Sequence, residues 1–135
     1  MIYSYQKHID SLRTVEIALP VDGMERLGTE LATVDGTTYV YVPDTAALPA
    51  QPPEITVEGA ILTPELLDAI KAASPHVRLI DARVVEQIRA RYSLDDEIKM
   101  LRMTPSDESS AYVAYVEACV AWGQTEKAKI GLETV

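Results

Sequence analysis

The sequence predicts an α+β protein, in which an N-terminal antiparallel β-hairpin or meander is followed by a C-terminal bundle of three to four helices. Two observations predict this class. The first 43 residues contain runs of β-branched and aromatic residues separated by turn residues, which is typical of short strands. From residue 63 onward, segments begin with a capping residue and carry apolar side chains at helical spacing.

The β part holds several segments rich in strand-forming residues, at positions 2–6, 14–19, 29–34 and 37–42. Asp35-Gly36 separates the last two of them. A primed two-residue turn needs positive φ at both central positions, and Asp-Gly supplies it, so this dipeptide predicts a hairpin. Pro20 and Pro43 each end a predicted strand.

A proline-rich connector divides the chain. Residues 1–43 form a predicted β module, residues 44–54 the connector, and residues 55–135 a helical module, with a short strand predicted at 55–57. Pro49, Pro52 and Pro53 favour an extended and semi-rigid backbone here. The sequence leaves open whether the two modules pack together as one domain.

Four helix starts follow the connector. In three of them a hydroxyl residue precedes a proline, as an N-cap followed by proline at the first helical position: Thr63-Pro64, Ser74-Pro75 and Thr104-Pro105. The fourth is Ser93, followed by acidic residues that suit the positive end of a helix. The predicted helices are 64–73, 75–92, 94–103 and 105–129, and the polar tail from residue 125 is expected to fray.

The charge pattern excludes some classes of partner. The net charge is −9, and residues 1–60 alone carry three basic and nine acidic residues. Nucleic acids and anionic membrane surfaces require clustered Lys and Arg, so neither is an expected partner. One cysteine, no signal-peptide pattern and no apolar run of about 18 residues predict a cytoplasmic protein.

The reactive side chains are too scattered to predict a catalytic, cofactor or metal site. His8 and His76 have no nearby ligand pattern, and Cys119 lies among apolar residues in the middle of a predicted helix. Residues 95–97 are three successive acids that point about 100° apart on a helix and cannot converge on one ion. The nucleotide-binding and hydrolase motifs are also absent from the sequence, so we predict no enzyme, no cofactor and no metal.

Aromatic residues give the candidate partner-binding sites. On the predicted strands, tyrosines alternate with other residues and therefore share a face, which would form one patch of four phenols opposite a valine core if the strands are neighbours. The alternative is that another element covers these rings. The last helix carries apolar residues on more than one side, which suggests burial against two elements or against a second chain. The candidate residues are Tyr3, Tyr5, Tyr39, Tyr41, Tyr112, Tyr115 and Trp122.

Two stretches resemble a known class of protein. Residues 74–102 (SPHVRLIDARVVEQIRARYSLDDEIKMLR) and 111–132 (AYVAYVEACVAWGQTEKAKIGL) are similar to the C-terminal regions of small proteins encoded in the tail modules of tailed bacteriophages and prophages. The resemblance covers about half of the chain. It implies a virion-associated or tail-assembly role, and it supplies no active-site residues.

The first functional hypothesis is therefore a non-enzymatic phage or prophage protein that contacts other tail proteins or itself, in the host cytoplasm or in the virion. It would act through the Tyr39/Tyr41 face and the apolar faces of the last helices. The second is an acidic regulatory or inhibitory module, which would be supported if Asp22, Glu25, Glu30, Asp35 and Asp44 cluster on one face. The third is an enzyme with no recognisable motif, which would need a cleft with converging ionisable groups.

Overall fold

The computed structural model describes residues 1–132, and the α+β class predicted from the sequence is confirmed. Within these residues the strands are β1 (Ile2–Tyr5), β2 (Val21–Asp22), β3 (Glu25–Arg26), β4 (Thr29–Val34), β5 (Thr37–Tyr41) and β6 (Glu58–Gly59). The helices that follow are α1 (Pro64–Ala73), α2 (Pro75–Arg91), α3 (Leu94–Arg102) and α4 (Asp107–Lys129).

One antiparallel sheet has the strand order β4-β5-β1-β6, and β2 and β3 form a separate ribbon. The predicted Asp-Gly hairpin joins β4 to β5, with φ of 50° at Asp35 and 82° at Gly36. The register of this pair shifts between Glu30 and Ala32, which is a β-bulge. Because a bulge breaks the strict alternation of a strand, Leu31 and Ala32 are both buried.

Two strand predictions were wrong. Among the described residues, 14–19 form no strand. Their one pairing is an isolated bridge between Thr14 and His8. The side-chain amide of Gln51 replaces a neighbouring strand, since it accepts from the Ala18 N–H and donates to the Ala18 carbonyl, both at 2.8 Å. The short strand expected at 55–57 lies at β6 instead, and Ile55 packs into the core.

The sheet is covered by apolar residues on both faces. One cluster lies between the sheet and the helices, and it contains Ile2, Leu31, Ala32, Leu67, Ile70, Val77 and Leu132. The other lies on the opposite face, and it contains Tyr5, Ile17, Val40, Val42 and Ile55, with Ala46 and Leu48 of the connector packed against it. The strands therefore share a core with α1, and the connector is folded onto the sheet.

The helix starts follow the predicted caps with one exception. The side-chain oxygens of Thr63, Ser74 and Ser93 each accept a hydrogen bond from a backbone N–H of the first turn. The prediction that α4 begins after Thr104 was wrong, because Ser106 is the N-cap. Ser106 accepts from the Ser109 N–H at 3.2 Å, and its own N–H donates to the Ser109 hydroxyl at 2.8 Å. This reciprocal capping box satisfies two backbone donors.

Up to Leu132 the end of α4 is hydrogen-bonded, contrary to the expected fraying, and residues 133–135 of the predicted tail lie outside the described residues. Gly131 has a φ of 79°, its N–H donates to the Ala128 carbonyl, and the Leu132 N–H donates to the Lys127 carbonyl, both at 3.0 Å. These two bonds form a Schellman motif, which usually carries an apolar contact after the glycine. Here the residue after the glycine is Leu132, which is 1% exposed in the cluster between the sheet and the helices.

Replacement of Leu132 by Ala should lower the free energy of unfolding by about 2–5 kcal/mol, since it removes a fully buried leucine and leaves a cavity. Urea denaturation followed by circular dichroism would measure the loss. Leu101→Ala is the matched control, because the same side chain is exposed there and its truncation should change stability by less than about 0.5 kcal/mol. Equal losses in the two variants would contradict the anchoring role of Leu132.

Candidate partner-binding surfaces

The four strand tyrosines do not form one patch, so that prediction was wrong. β1 and β5 are neighbours, but the register pairs Tyr3 with Val40 and Ile2 with Tyr41. Directly opposed residues of an antiparallel pair lie on the same face. Tyr3 and Tyr5 therefore lie on the face of Val40, and Tyr39 and Tyr41 lie on the opposite face. The sequence fixes which residues alternate within a strand, but the relative register of two strands is a long-range property.

The tyrosines of β5 contact the protein's own helices. Tyr39 and Tyr41 are half-buried and pack against the cluster between the sheet and the helices. The ring of Tyr41 lies against Gly131, where an added Cβ would come within 2.5 Å of it. Tyr5 is buried in the second cluster, and burial raises the pKa of its phenol above 10.0. These rings offer little free surface to a partner.

Tyr112 links α4 to α3 through a partly buried polar contact. Its hydroxyl donates to one carboxylate oxygen of Glu97 at 2.9 Å, and Arg89 of α2 donates to the other at 2.7 Å. These bonds, that of Arg89 first, hold the pKa of Glu97 below its ordinary value of 4.5. Burial and then the Glu97 bond raise the pKa of Tyr112. One carboxylate thus joins three helices.

Tyr92 and Tyr115 pack next to the Glu97–Tyr112 hydrogen bond. The Tyr115 hydroxyl donates to the Gln87 carbonyl at 2.6 Å, and the Tyr92 ring meets Tyr112 edge-on with 5.0 Å between centroids. The guanidinium of Arg91 lies 4.9 Å from the Tyr115 ring centroid. Tyr112 and Tyr115 thus serve intramolecular contacts in this structure. Trp122, the remaining candidate, is half-buried on α4.

The large apolar side chains that are exposed on α3 and α4 are together called the α3/α4 face. It consists of Leu94, Ile98 and Leu101 on α3 with Val113 and Val120 on α4. The three α3 residues are spaced at i, i+4 and i+7 and therefore share one side of the helix. They are 60%, 42% and 78% exposed. Leu101 and Val113 line a common groove of about 480 Å³ between the two helices.

The exposure of this face follows from how α3 is held. α3 contacts α4 through Met100, which is buried, and through Glu97, which bonds to Tyr112. These two residues project to one side of the apolar stripe, so the stripe itself is turned outward. The sequence analysis named the apolar faces of the last helices but did not single out these α3 residues, because an amphipathic helix normally buries its apolar side. The exposed valines of α4 agree with its predicted second apolar side.

α4 and α2 pack closely beside this face. At Gly123 an added Cβ would lie 2.7 Å from a methyl carbon of Val84 and 3.7 Å from one of Ile80. Glycine therefore allows the two backbones to approach each other. Cys119 is buried nearby on α4.

The ionisable residues outside this region are spread over the surface. His8 shares a polar groove of about 480 Å³ beside β1 with the carboxylates of Glu54 and Glu58, a juxtaposition that the sequence analysis missed. His76 is exposed in the first turn of α2. Within residues 1–132, no group of three or more His, Cys, Asp or Glu side chains is arranged to hold a metal ion.

Comparisons with protein-family models, with curated proteins and with solved structures give no match to this chain. In the part of the chain that the structure describes, no helix combines the length and the apolar character needed to cross a membrane.

The Glu97 contact predicts a pH-dependent stability. The folded state lowers the pKa of Glu97, so its contribution is present above the unfolded pKa and is lost as the pH falls through the folded value. Wild type should be more stable than Glu97→Gln at about pH 7, and the difference should shrink by about pH 3. Urea midpoints measured across this range would test it.

Glu86→Gln is the matched control for this series, because Glu86 is exposed on α2. Its urea midpoint should follow that of wild type across the same range. A gap between wild type and Glu97→Gln that stays constant with pH would show that the carboxylate charge contributes nothing.

Proposed function

We propose that this chain is a non-enzymatic phage or prophage protein, virion-associated or a tail-assembly factor, which works by contacting other tail proteins through the α3/α4 face. It would act in the cytoplasm of a bacterial host or in the virion. The observation that carries the proposal is the outward orientation of Leu94, Ile98 and Leu101 on an otherwise amphipathic helix. Contiguous apolar side chains exposed in this way are typical of protein-binding sites.

The position of the family resemblance supports the same surface. The two stretches that resemble tail-module proteins, 74–102 and 111–132, include α2, α3 and most of α4. They therefore contain every residue of the α3/α4 face. A shared binding surface is one physical reason for such a resemblance in the absence of a catalytic motif.

Replacement of Leu101 by Asp should abolish capture of the tail protein that this chain binds, because a charge would be placed in the centre of an apolar contact. Co-purification with the products of the neighbouring tail genes would measure it. The matched control is Leu12→Asp, since Leu12 is 94% exposed in a loop of the β part. Unchanged capture by Leu101→Asp, or equal losses in both variants, would contradict the proposed surface.

A second candidate function is an acidic regulatory or inhibitory module, and the β2–β3 ribbon favours it. Asp22 and Glu25 are directly opposed in the ribbon and both are exposed. Like charges placed opposite each other destabilise a strand pair, and a basic partner would relieve the repulsion. Exposed Met24 lies at the turn between them. Of the other acids, Glu30 pairs with Lys7 and Asp44 with the terminal amine, at 3.2 and 2.8 Å.

For this second function, the variant Asp22→Asn with Glu25→Gln should weaken binding to a basic protein partner, and added salt should weaken binding by the wild type. Exposed charges are screened within about 8–10 Å at ordinary ionic strength. At high salt the variant and the wild type should therefore bind with similar affinity, because salt has already removed the contribution of the two acids. Calorimetric titration at two salt concentrations would measure them. Salt-independent binding would exclude this function.

A further inference from the structure

The structure assigns a second binding surface to the free edge of the sheet beyond Ser4 of β1. We propose that an extended segment of another protein, in which basic residues alternate with apolar ones, adds to the sheet here by backbone hydrogen bonds. The surface shares no residue with the α3/α4 face, so the proposal goes beyond the proposed function and does not depend on it.

The ladder between β1 and β6 is short and leaves the end of β1 without a neighbour. Its last pair is Ser4 opposite Glu58. A longer ladder would next pair Gln6 with Thr56, but among the described residues no backbone hydrogen bond joins these two. The chain forms a turn there instead, in which the N–H of buried Ile55 donates to the carbonyl three residues earlier at 3.3 Å.

The backbone groups on this edge belong to Gln6 and His8. The Ile2 carbonyl accepts from the Ala60 N–H at 2.9 Å, and alternate residues of a strand bond toward the same side, so Gln6 faces this side too. The bridge between His8 and Thr14 is bonded through the residues that flank His8, so the N–H and C=O of His8 itself point away from the bridge. Within residues 1–132, neither Gln6 nor His8 forms a backbone hydrogen bond.

A groove of about 480 Å³ lies beside this edge and gives an added strand room to enter. Gln6 and His8 line it, together with Glu54, Ile55 and Glu58. Unpaired N–H and C=O groups along a strand edge are a template for pairing with another chain, and extended peptides bind many proteins in this way. The edge and the groove together therefore define a site for an extended segment.

The charge of the groove determines one face of that segment. Glu58 lies opposite Ser4 and therefore on the same face of the sheet as Gln6 and His8. The partner residues that pair with Gln6 and His8 would lie on this face as well. The groove is lined by the carboxylates of Glu54 and Glu58 and by no Lys or Arg. Among residues 1–132 neither carboxylate forms an ion pair, so basic residues fit these positions.

The residues between these basic positions would lie on the opposite face of the sheet. That face carries the cluster that contains Tyr5, Ile17 and Ile55, and two of its members, Tyr5 and Ile55, also line the groove. Branched apolar side chains pack well on such a surface. The occupant is thus a strand in which Lys or Arg alternates with Val or Ile.

The test uses the full chain and a fluorescein-labelled, end-capped peptide of about seven residues in which lysine alternates with valine. Fluorescence anisotropy at about 0.15 M salt should give a dissociation constant of about 10–500 μM. The same peptide N-methylated at every lysine keeps its charges but loses the N–H donors that pair with the edge. It should bind at least about tenfold more weakly, which separates strand addition from simple attraction to an acidic protein.

Gln6→Pro should weaken binding of the lysine–valine peptide at least about tenfold, because proline removes the N–H that the added strand needs. This N–H has no partner in the chain, and Tyr5 before it is already in a strand, so the fold should tolerate proline here. Gln6→Ala is the matched control, since it removes the side chain but keeps the N–H and should bind like wild type. Urea midpoints would verify that both variants fold, and the N-methylated peptide decides the question on wild type if Gln6→Pro does not.

The double variant Glu54→Gln with Glu58→Gln tests the charge of the occupant. It should weaken binding of the lysine–valine peptide by about three- to tenfold, as expected for two exposed ion pairs. Glu86→Gln is the matched control, because it removes one carboxylate from the exposed side of α2 and should change nothing. A peptide in which glutamate alternates with valine should bind wild type more weakly than the lysine–valine peptide.

Four results would overturn the proposal. These are no binding of the lysine–valine peptide at about 1 mM, equal binding of its N-methylated form, a folded Gln6→Pro variant that binds like wild type, and an unchanged affinity in the Glu54 and Glu58 double variant. Analytical ultracentrifugation adds a fifth. A wild type that dimerises and a Gln6→Pro variant that stays monomeric would assign the edge to a second copy of the chain instead.

Discussion

The burial of Leu132 against the sheet is the interaction on which the arrangement of the helices depends. Leu132 follows the Schellman turn at Gly131, and its side chain lies in one cluster with Ile2 of β1 and Ile70 of α1. The C-terminal end of α4 is thereby fixed to the sheet. A helix of 23 residues is about 34 Å long and nearly rigid, so fixing one end also determines where the other end lies.

The N-terminal part of α4 is held by polar contacts instead of apolar burial. There the carboxylate of Glu97 joins Arg89 of α2 to Tyr112 of α4, and few apolar side chains are buried around it. Such a polar junction orients α3 by directed bonds rather than by the burial of its apolar stripe. The stripe is then free to face outward. The exposed face is therefore a consequence of how α3 is attached.

Features fixed by local chemistry could be predicted from the sequence, whereas features fixed by distant contacts could not. The caps at Thr63, Ser74 and Ser93 and the hairpin turn at Asp35 depend on neighbouring residues, and each is present. Residues 14–19 have strand composition, but the Gln51 side chain takes both backbone hydrogen bonds of Ala18 that a neighbouring strand would need. Composition cannot reveal a competitor that lies 33 residues away.

The candidate site also combines features that local sequence determines with features that distant contacts determine. The second apolar side of α4 was foreseen because Val113 and Val120 recur at helical spacing, which is a local pattern. The tyrosine patch failed because the register of β1 and β5 is set by the packing of both sheet faces. The α3 residues could not be singled out within the apolar faces of the last helices, because the sequence of an amphipathic helix is the same whether its apolar side meets its own chain or another one. Only the tertiary attachment through Glu97 separates these two cases, and it leaves the stripe exposed.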